Sequence, residues 1–181
     1  MPLLEVLTRC YKRPQMLLAN QASLDALADD DWEQTLLIDD VGRGVGWSYG
    51  QLAAYAPHLT GEYIWLLDDD DECIYPALVD GLRAIVEAHG PDVVVVRMDH
   101  GERGVLPPVK LWGKRPYQGA IGCSAVIVRR AVWQAHAHVM APGHYASDYD
   151  FIRALWDAGV SVYWWEIVAS RVQRISYGRP E

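Results

Sequence analysis

Phenylalanine occurs once, cysteine three times, and no apolar run approaches the roughly 18 residues needed to cross a bilayer. Cys10, Cys73 and Cys123 are odd in number and lack the paired spacing of a zinc site or a disulfide framework, which favours a reducing compartment. Met1-Pro2-Leu3-Leu4-Glu5 has neither the charged head nor the long apolar stretch of a signal peptide, so a cytoplasmic location is expected. Basic residues are outnumbered, 16 against 24 acidic, for a formal net charge of −8. That argues against extended, phosphate-tracking contact with nucleic acid and leaves only a local basic patch at Lys110, Lys114 and Arg115. No internal repeat, low-complexity tract or interdomain linker interrupts the 181 residues, so one domain over 1–181 is expected, large enough to bury a core.

What is present is apolar and aromatic: 51% of residues are hydrophobic, with eight Trp and ten Tyr able to line a groove as readily as fill a core. Short apolar runs recur at Leu3 to Leu7, Thr35 to Ile38, Tyr63 to Leu67, Val93 to Val96, Ala125 to Val128 and Val160 to Trp165. Each has strand length, and most are rich in β-formers. Helical segments lie between them. Pro14 suits a first helical turn before Leu17, Leu24 and Leu27; Pro76 precedes Leu78, Leu82, Ile85 and Val86, with Gly90-Pro91 as the stop. The alternation predicts an α/β fold with a largely parallel sheet, in which the continuous run Val93–Val96 is central. The stretch from Asp99 to Gly122, with five glycines and three prolines, is expected to be a mobile flap or acceptor loop.

The chemistry concentrates at strand ends. Asp68-Asp69-Asp70-Asp71 follows Tyr63-Ile64-Trp65-Leu66-Leu67, and carboxylates about 5 Å apart repel by roughly 3 kcal/mol per pair at an effective dielectric near 20. A cation is therefore expected among them. In an extended segment Asp68 and Asp70 converge while Asp69 and Asp71 face elsewhere, and such paired hard oxygens suit Mg²⁺ or Mn²⁺. The alternative is a solvated acidic turn, although open α/β sheets bind ligands at the carboxyl ends of their strands. The first strand ends in Thr8-Arg9-Cys10-Tyr11-Lys12-Arg13-Pro14, which suits phosphate or a nucleotide as well as an ordinary basic surface loop. The second ends in Asp39-Asp40 before the turn Val41 to Gly46, where a carboxylate can accept from a ribose or base edge. Gly42, Gly44 and Gly46 do not have dinucleotide-fingerprint spacing.

Together, Thr8 through Pro14, Leu37-Ile38-Asp39-Asp40 and Gly61 through Asp71 resemble the nucleotide-sugar-binding half of a GT-A glycosyltransferase, closest to the large family-2 group of inverting enzymes. The Gly-Glu-Tyr-Ile strand ending in a DXD signature is the most specific match. Similarity continues through Gly119 to Arg130 and Ser147-Asp148-Tyr149-Asp150. The resemblance implies a Rossmann-like three-layer α/β/α sandwich with a mostly parallel mixed sheet. It also implies a metal-dependent hexosyltransferase-type enzyme that moves a sugar from a nucleoside-diphosphate donor, a UDP-sugar being favoured, to an unidentified acceptor hydroxyl. By it, Thr8, Arg9, Tyr11, Arg13, Asp39, Asp40, Asp68 and Asp69 would contact the nucleotide sugar. Asp70, with Asp68, would hold Mn²⁺ or Mg²⁺, and Asp148 would be the general base.

Ser147 stands where that family commonly has Glu, and the usual Arg-Asn after the glycine-rich turn is replaced near Tyr49-Gly50-Gln51. These departures support a second reading, a non-catalytic nucleotide-sugar-binding module; a third is an aspartate-nucleophile phosphohydrolase. Ser147 also reads as an N-cap with Asp150 at the third helical position, so Asp148 and Asp150 could simply complement the helix dipole. The six histidines have no zinc spacing; His144 is the candidate for an additional metal ligand.

Overall fold

In a computed structural model that describes residues 1–173, the order is β1 (Leu4–Cys10), α1 (Pro14–Asp25), β2 (Trp32–Ile38), α2 (Val45–Tyr55), β3 (Tyr63–Leu66), β4 (Asp71–Cys73) and α3 (Leu78–His89). β5 (Val93–Asp99), β6 (Val105–Leu106), β7 (Val126–Arg129), α4 (Arg130–His136), α5 (Ser147–Asp157) and β8 (Val162–Val172) follow. The strands form one mixed sheet in the order β2-β1-β3-β7-β5-β8-β4, with β6 paired to β5. Its longest ladders, β1/β2 and β5/β8, are parallel, whereas β7 runs antiparallel to both β3 and β5.

Strand alternation sorts the core into two layers. On one face Leu7, Ile64, Leu66, Val93, Val95 and Val128 pack beneath α2, α4 and α5 through residues such as Leu52, Trp133 and Phe151. On the other, Val6, Tyr63, Trp65, Val94, Val96 and Ile127 pack beneath α1 and α3 through Leu24, Leu78 and Leu82. Pro14 opens α1 as expected, and α3 stops at Gly90, whose left-handed φ of 51° lets its N–H reach Val86 O.

All six expected strands are present, several of them longer. β1 runs on to Cys10, so Thr8 and Arg9 are strand residues rather than loop residues, and β8 extends to Val172. β4 and β6 were not expected: Asp71-Glu72-Cys73 has little β propensity and is a strand because it pairs with Ser170–Val172. The segment between Asp99 and Gly122 is partly structured, since β6 adds to β5 and Trp112 packs edge-on against Trp164 with ring centroids 5.0 Å apart. The basic patch foreseen there is thinned: Arg115 pairs with Asp157. No helix among the described residues is long and apolar enough to cross a membrane.

Trp65 is fully buried in β3 and its indole N–H donates to Ser124 O at 2.8 Å. Trp65→Ala is expected to lower stability by about 3–5 kcal/mol, measured by equilibrium urea denaturation.

Candidate functional site

After β3 the chain does not stay extended. Asp71 N–H donates to Asp68 O at 2.9 Å, closing a turn, so the expected alternation of side chains is replaced. Oxygens of Asp68, Asp70 and Asp71 lie within 4.8 Å of one another, which adds Asp71 to the pair Asp68 and Asp70. Asp69 points instead toward the loop after β1, where it accepts from Tyr11 N–H at 3.3 Å and from the Arg13 guanidinium.

The turn's backbone is held from both sides. Asn20, buried in α1, donates from Nδ2 to Asp68 O at 3.0 Å and Asp71 O at 2.9 Å. Its Oδ1 accepts from Gln34 Nε2, which also donates to the Thr8 hydroxyl. Gln173 donates from its backbone N–H to Asp70 O and from Nε2 to Asp69 O. Thr8 thus serves this buried relay and lines neither cavity described below.

Two guanidinium groups face four carboxylates. Arg9 grips Asp68 with both its forks, Nε to Oδ1 at 2.7 Å and Nη2 to Oδ2 at 2.5 Å, and its guanidinium lies 4.5 Å from the Tyr49 ring centroid. Arg13 spans Asp69 and Asp70, reaching Asp70 at 2.5 Å. Burial pushes the Asp69 carboxyl up to about 6, against the pull of Arg13. Among the described residues Asp71 has no guanidinium partner. Buried, and bonded to the Ser124 hydroxyl at 3.2 Å, it is pushed well above the usual carboxylate range by desolvation and by Asp68 and Asp70.

Two cavities meet at Arg9 and Asp68. One, about 260 Å³, is walled by Tyr11, Arg13, Asp39, Gly42, Trp47 and Gln51. The other, about 210 Å³, is walled by Tyr49, Asp70, Asp71, His100, Ser124 and Asp148. Asp39 lines the first with its oxygens already engaged. It accepts from the N–H groups of Val41, Gly42 and Arg43 at 3.1, 2.8 and 2.5 Å, which outweigh burial and hold its carboxyl below the ordinary value. Gly42, at φ 90°, lies so close to the Tyr11 hydroxyl that a Cβ would displace it. Asp40 is not brought to the site: its side chain is 77% exposed and its partner is Arg43.

Asp148 enters the second cavity from the first turn of α5, and burial raises its carboxyl above the usual value. Ser147 is not the N-cap. Ala146 holds that position, and the buried Ser147 Oγ accepts from His144 N–H at 2.8 Å. Asp150 pairs with His144 Nε2 at 2.8 Å and with Arg153, and neither Asp150 nor His144 lines the second cavity. The histidine at the cavity is His100, beyond β5, which no sequence spacing distinguished.

Three carboxylates around one point, one of them buried and, among the described residues, without a cationic partner, form a hard-oxygen set that fits Mg²⁺ or Mn²⁺.

S. aureus TarS 1-349 in complex with UDP-GlcNAc matches 99% of this chain and 60% of that chain at a TM-score of 0.74 and 12% identity. The same protein in complex with UDP matches 96% of this chain and 60% of that chain at a TM-score of 0.69 and 14% identity. The chain has the GT-A glycosyltransferase fold. It spans 37% of a longer TarS chain. A197 from STIV is matched over 100% of this chain and 98% of that one, at a TM-score of 0.55 and 15% identity. No family model and no curated protein sequence matches the chain.

Asn20→Ala removes one donor from each of two carbonyls of the acidic turn, and stability is expected to fall by about 1–3 kcal/mol in chemical denaturation.

Proposed function

We propose that the chain binds a nucleoside-diphosphate sugar, a UDP-sugar being favoured, and transfers the sugar to an acceptor hydroxyl with inversion. The observation that carries this reading is the junction of two cavities at Arg9 and Asp68, one ringed by Tyr11, Trp47 and Asp39, the other ending at Asp148. The UDP-GlcNAc and UDP complexes of a protein with this fold support the choice of donor.

In this reading the nucleoside occupies the first cavity, against Tyr11 and Trp47, and the diphosphate lies at the junction within reach of Arg9 and Arg13. Guanidinium forks match phosphate oxygens in pairs. Asp68, Asp70 and Asp71 would hold Mn²⁺ or Mg²⁺, which supplies positive charge for the departing diphosphate. The sugar reaches into the second cavity. Asp148 takes the proton of the acceptor hydroxyl as its oxygen bonds to the anomeric carbon and the bond to the diphosphate breaks. Burial makes Asp148 a stronger base than an exposed carboxylate, which suits that work near neutral pH.

A specific observation favours a second reading, nucleotide-sugar binding without turnover. Ser147, at the position of the expected Glu, is buried and committed to His144 N–H, so it offers no second acid or base.

UDP-binding calorimetry and a donor-turnover assay together decide between binding and transfer. Asp70→Ala is expected to abolish Mn²⁺-dependent UDP binding. Asp148→Asn should keep UDP affinity while donor turnover, including slow hydrolysis, falls about 10²- to 10⁴-fold. Turnover unchanged in Asp148→Asn removes that residue from the reaction. In the wild type the acid limb of kcat/KM should have its midpoint above the ordinary Asp value of about 3.9. Activity lies above that midpoint, because the base must be unprotonated, and a midpoint at or below about 3.9 contradicts the role given to burial.

A further inference from the structure

Resting on the donor and metal reading above, we infer that Arg9 and Arg13 change partners when the donor binds, so that divalent cation and nucleoside diphosphate each bind weakly alone and tightly together. Two of the three carboxylates facing the cation position are already engaged: Asp68 through both oxygens by Arg9, and Asp70 by Arg13. A cation arriving alone must share these carboxylates with two guanidinium groups of its own sign.

Arg9 cannot simply retreat to water. Its side chain is 16% exposed, sits over Tyr49, and has Asp68 as its ion-pair partner. A buried charge that loses its partner is strongly destabilising. An anion at the junction of the cavities removes that penalty, and Arg9 lines both cavities while Arg13 lines the first. A diphosphate arriving alone has the converse problem, since the guanidinium groups it would bind are already held by Asp68, Asp69 and Asp70, carboxylates of its own sign. With both ligands present, signs alternate from carboxylate to cation to phosphate to guanidinium.

The remaining cations of these loops are otherwise placed: Lys12 lies over the Tyr11 ring and Arg43 over Trp47, beside Asp39 and Asp40. The exchange therefore belongs to Arg9 and Arg13. A nucleoside without phosphates offers Arg9 no new partner and should show no coupling.

The test titrates the full chain with Mn²⁺, followed by loss of the free-ion paramagnetic resonance signal, and with UDP or uridine, followed by calorimetry. Each is run with and without the other ligand and corrected for the Mn²⁺–UDP complex measured without protein. Mn²⁺ and UDP should each raise the other's affinity by the same factor, between about 5- and 150-fold, while uridine affinity is unmoved by Mn²⁺. Arg13→Gln frees Asp70, so it should bind Mn²⁺ alone more tightly than the wild type and show a smaller coupling factor; Arg13→Lys, which keeps the charge on Asp69, should fall between. Circular dichroism verifies that each variant is folded.

Equal Mn²⁺ affinity with and without UDP, while UDP still binds, overturns the exchange and leaves the donor reading standing. So does a folded Arg13→Gln that binds Mn²⁺ alone more weakly. Absence of UDP binding under every condition overturns the donor reading and the exchange with it.

Discussion

Four adjacent carboxylates in one turn can coexist only if their charge is compensated and their backbone is fixed, and the rest of the site follows from how this chain does both. Arg9 and Arg13 supply compensation from the first strand and the loop after it. Asn20 and Gln173 supply fixation, donating to the carbonyls of all four aspartates together with the Gln173 backbone. Among the described residues compensation is incomplete at Asp71, which is buried without a cationic partner. A divalent cation there would supply the missing positive charge and favour the ionised form of Asp71.

The sheet explains why these groups meet. β1 lies between β2 and β3 in parallel register, which brings the carboxyl ends of all three strands, and hence Arg9, Asp39 and Asp68, to one edge. Antiparallel β7 then returns the chain so that Ser124 reaches Asp71, and α5 presents Asp148 across the second cavity. Tryptophan and tyrosine, used where phenylalanine is almost absent, divide between these tasks. Trp65 and Trp133 fill the two core layers, whereas Tyr11 and Trp47 wall the cavity and Tyr49 backs Arg9.

Much of this was legible in the residues themselves. The runs Tyr63–Leu67 and Val93–Val96 declare strands by composition, and the acidic run after the former marks the edge where the two cavities meet. Asp71 was hidden because the alternation rule assumes extended backbone, while four consecutive turn-forming aspartates instead fold back on themselves. Asn20 did carry a signal. It stands between Met16 and Leu24 at four-residue spacing, a polar residue on the buried side of α1, and such a residue needs partners. His100 carried none, since its position depends on the pairing of β5 with its neighbours. Ser147 was misread as a cap because its hydrogen bond with His144, like the pair His144 makes with Asp150, depends on a local loop conformation that spacing does not encode. Asp40 and Asp39 look equivalent in sequence, yet Asp39 is consumed by three backbone N–H groups of the following turn and Asp40 is left outside.

The central claim is that the acidic turn, the Tyr11 loop and the Asp39 turn form one donor site around a divalent cation. The most direct measurement is a crystal structure grown with UDP and MnCl₂, with anomalous diffraction recorded at the manganese edge. The account predicts a manganese peak bounded by Asp68, Asp70 and Asp71, uridine beside Tyr11 and Trp47, and phosphate oxygens on Arg9. Well-ordered UDP bound elsewhere, or bound in this cavity with no manganese at the three carboxylates, would contradict it.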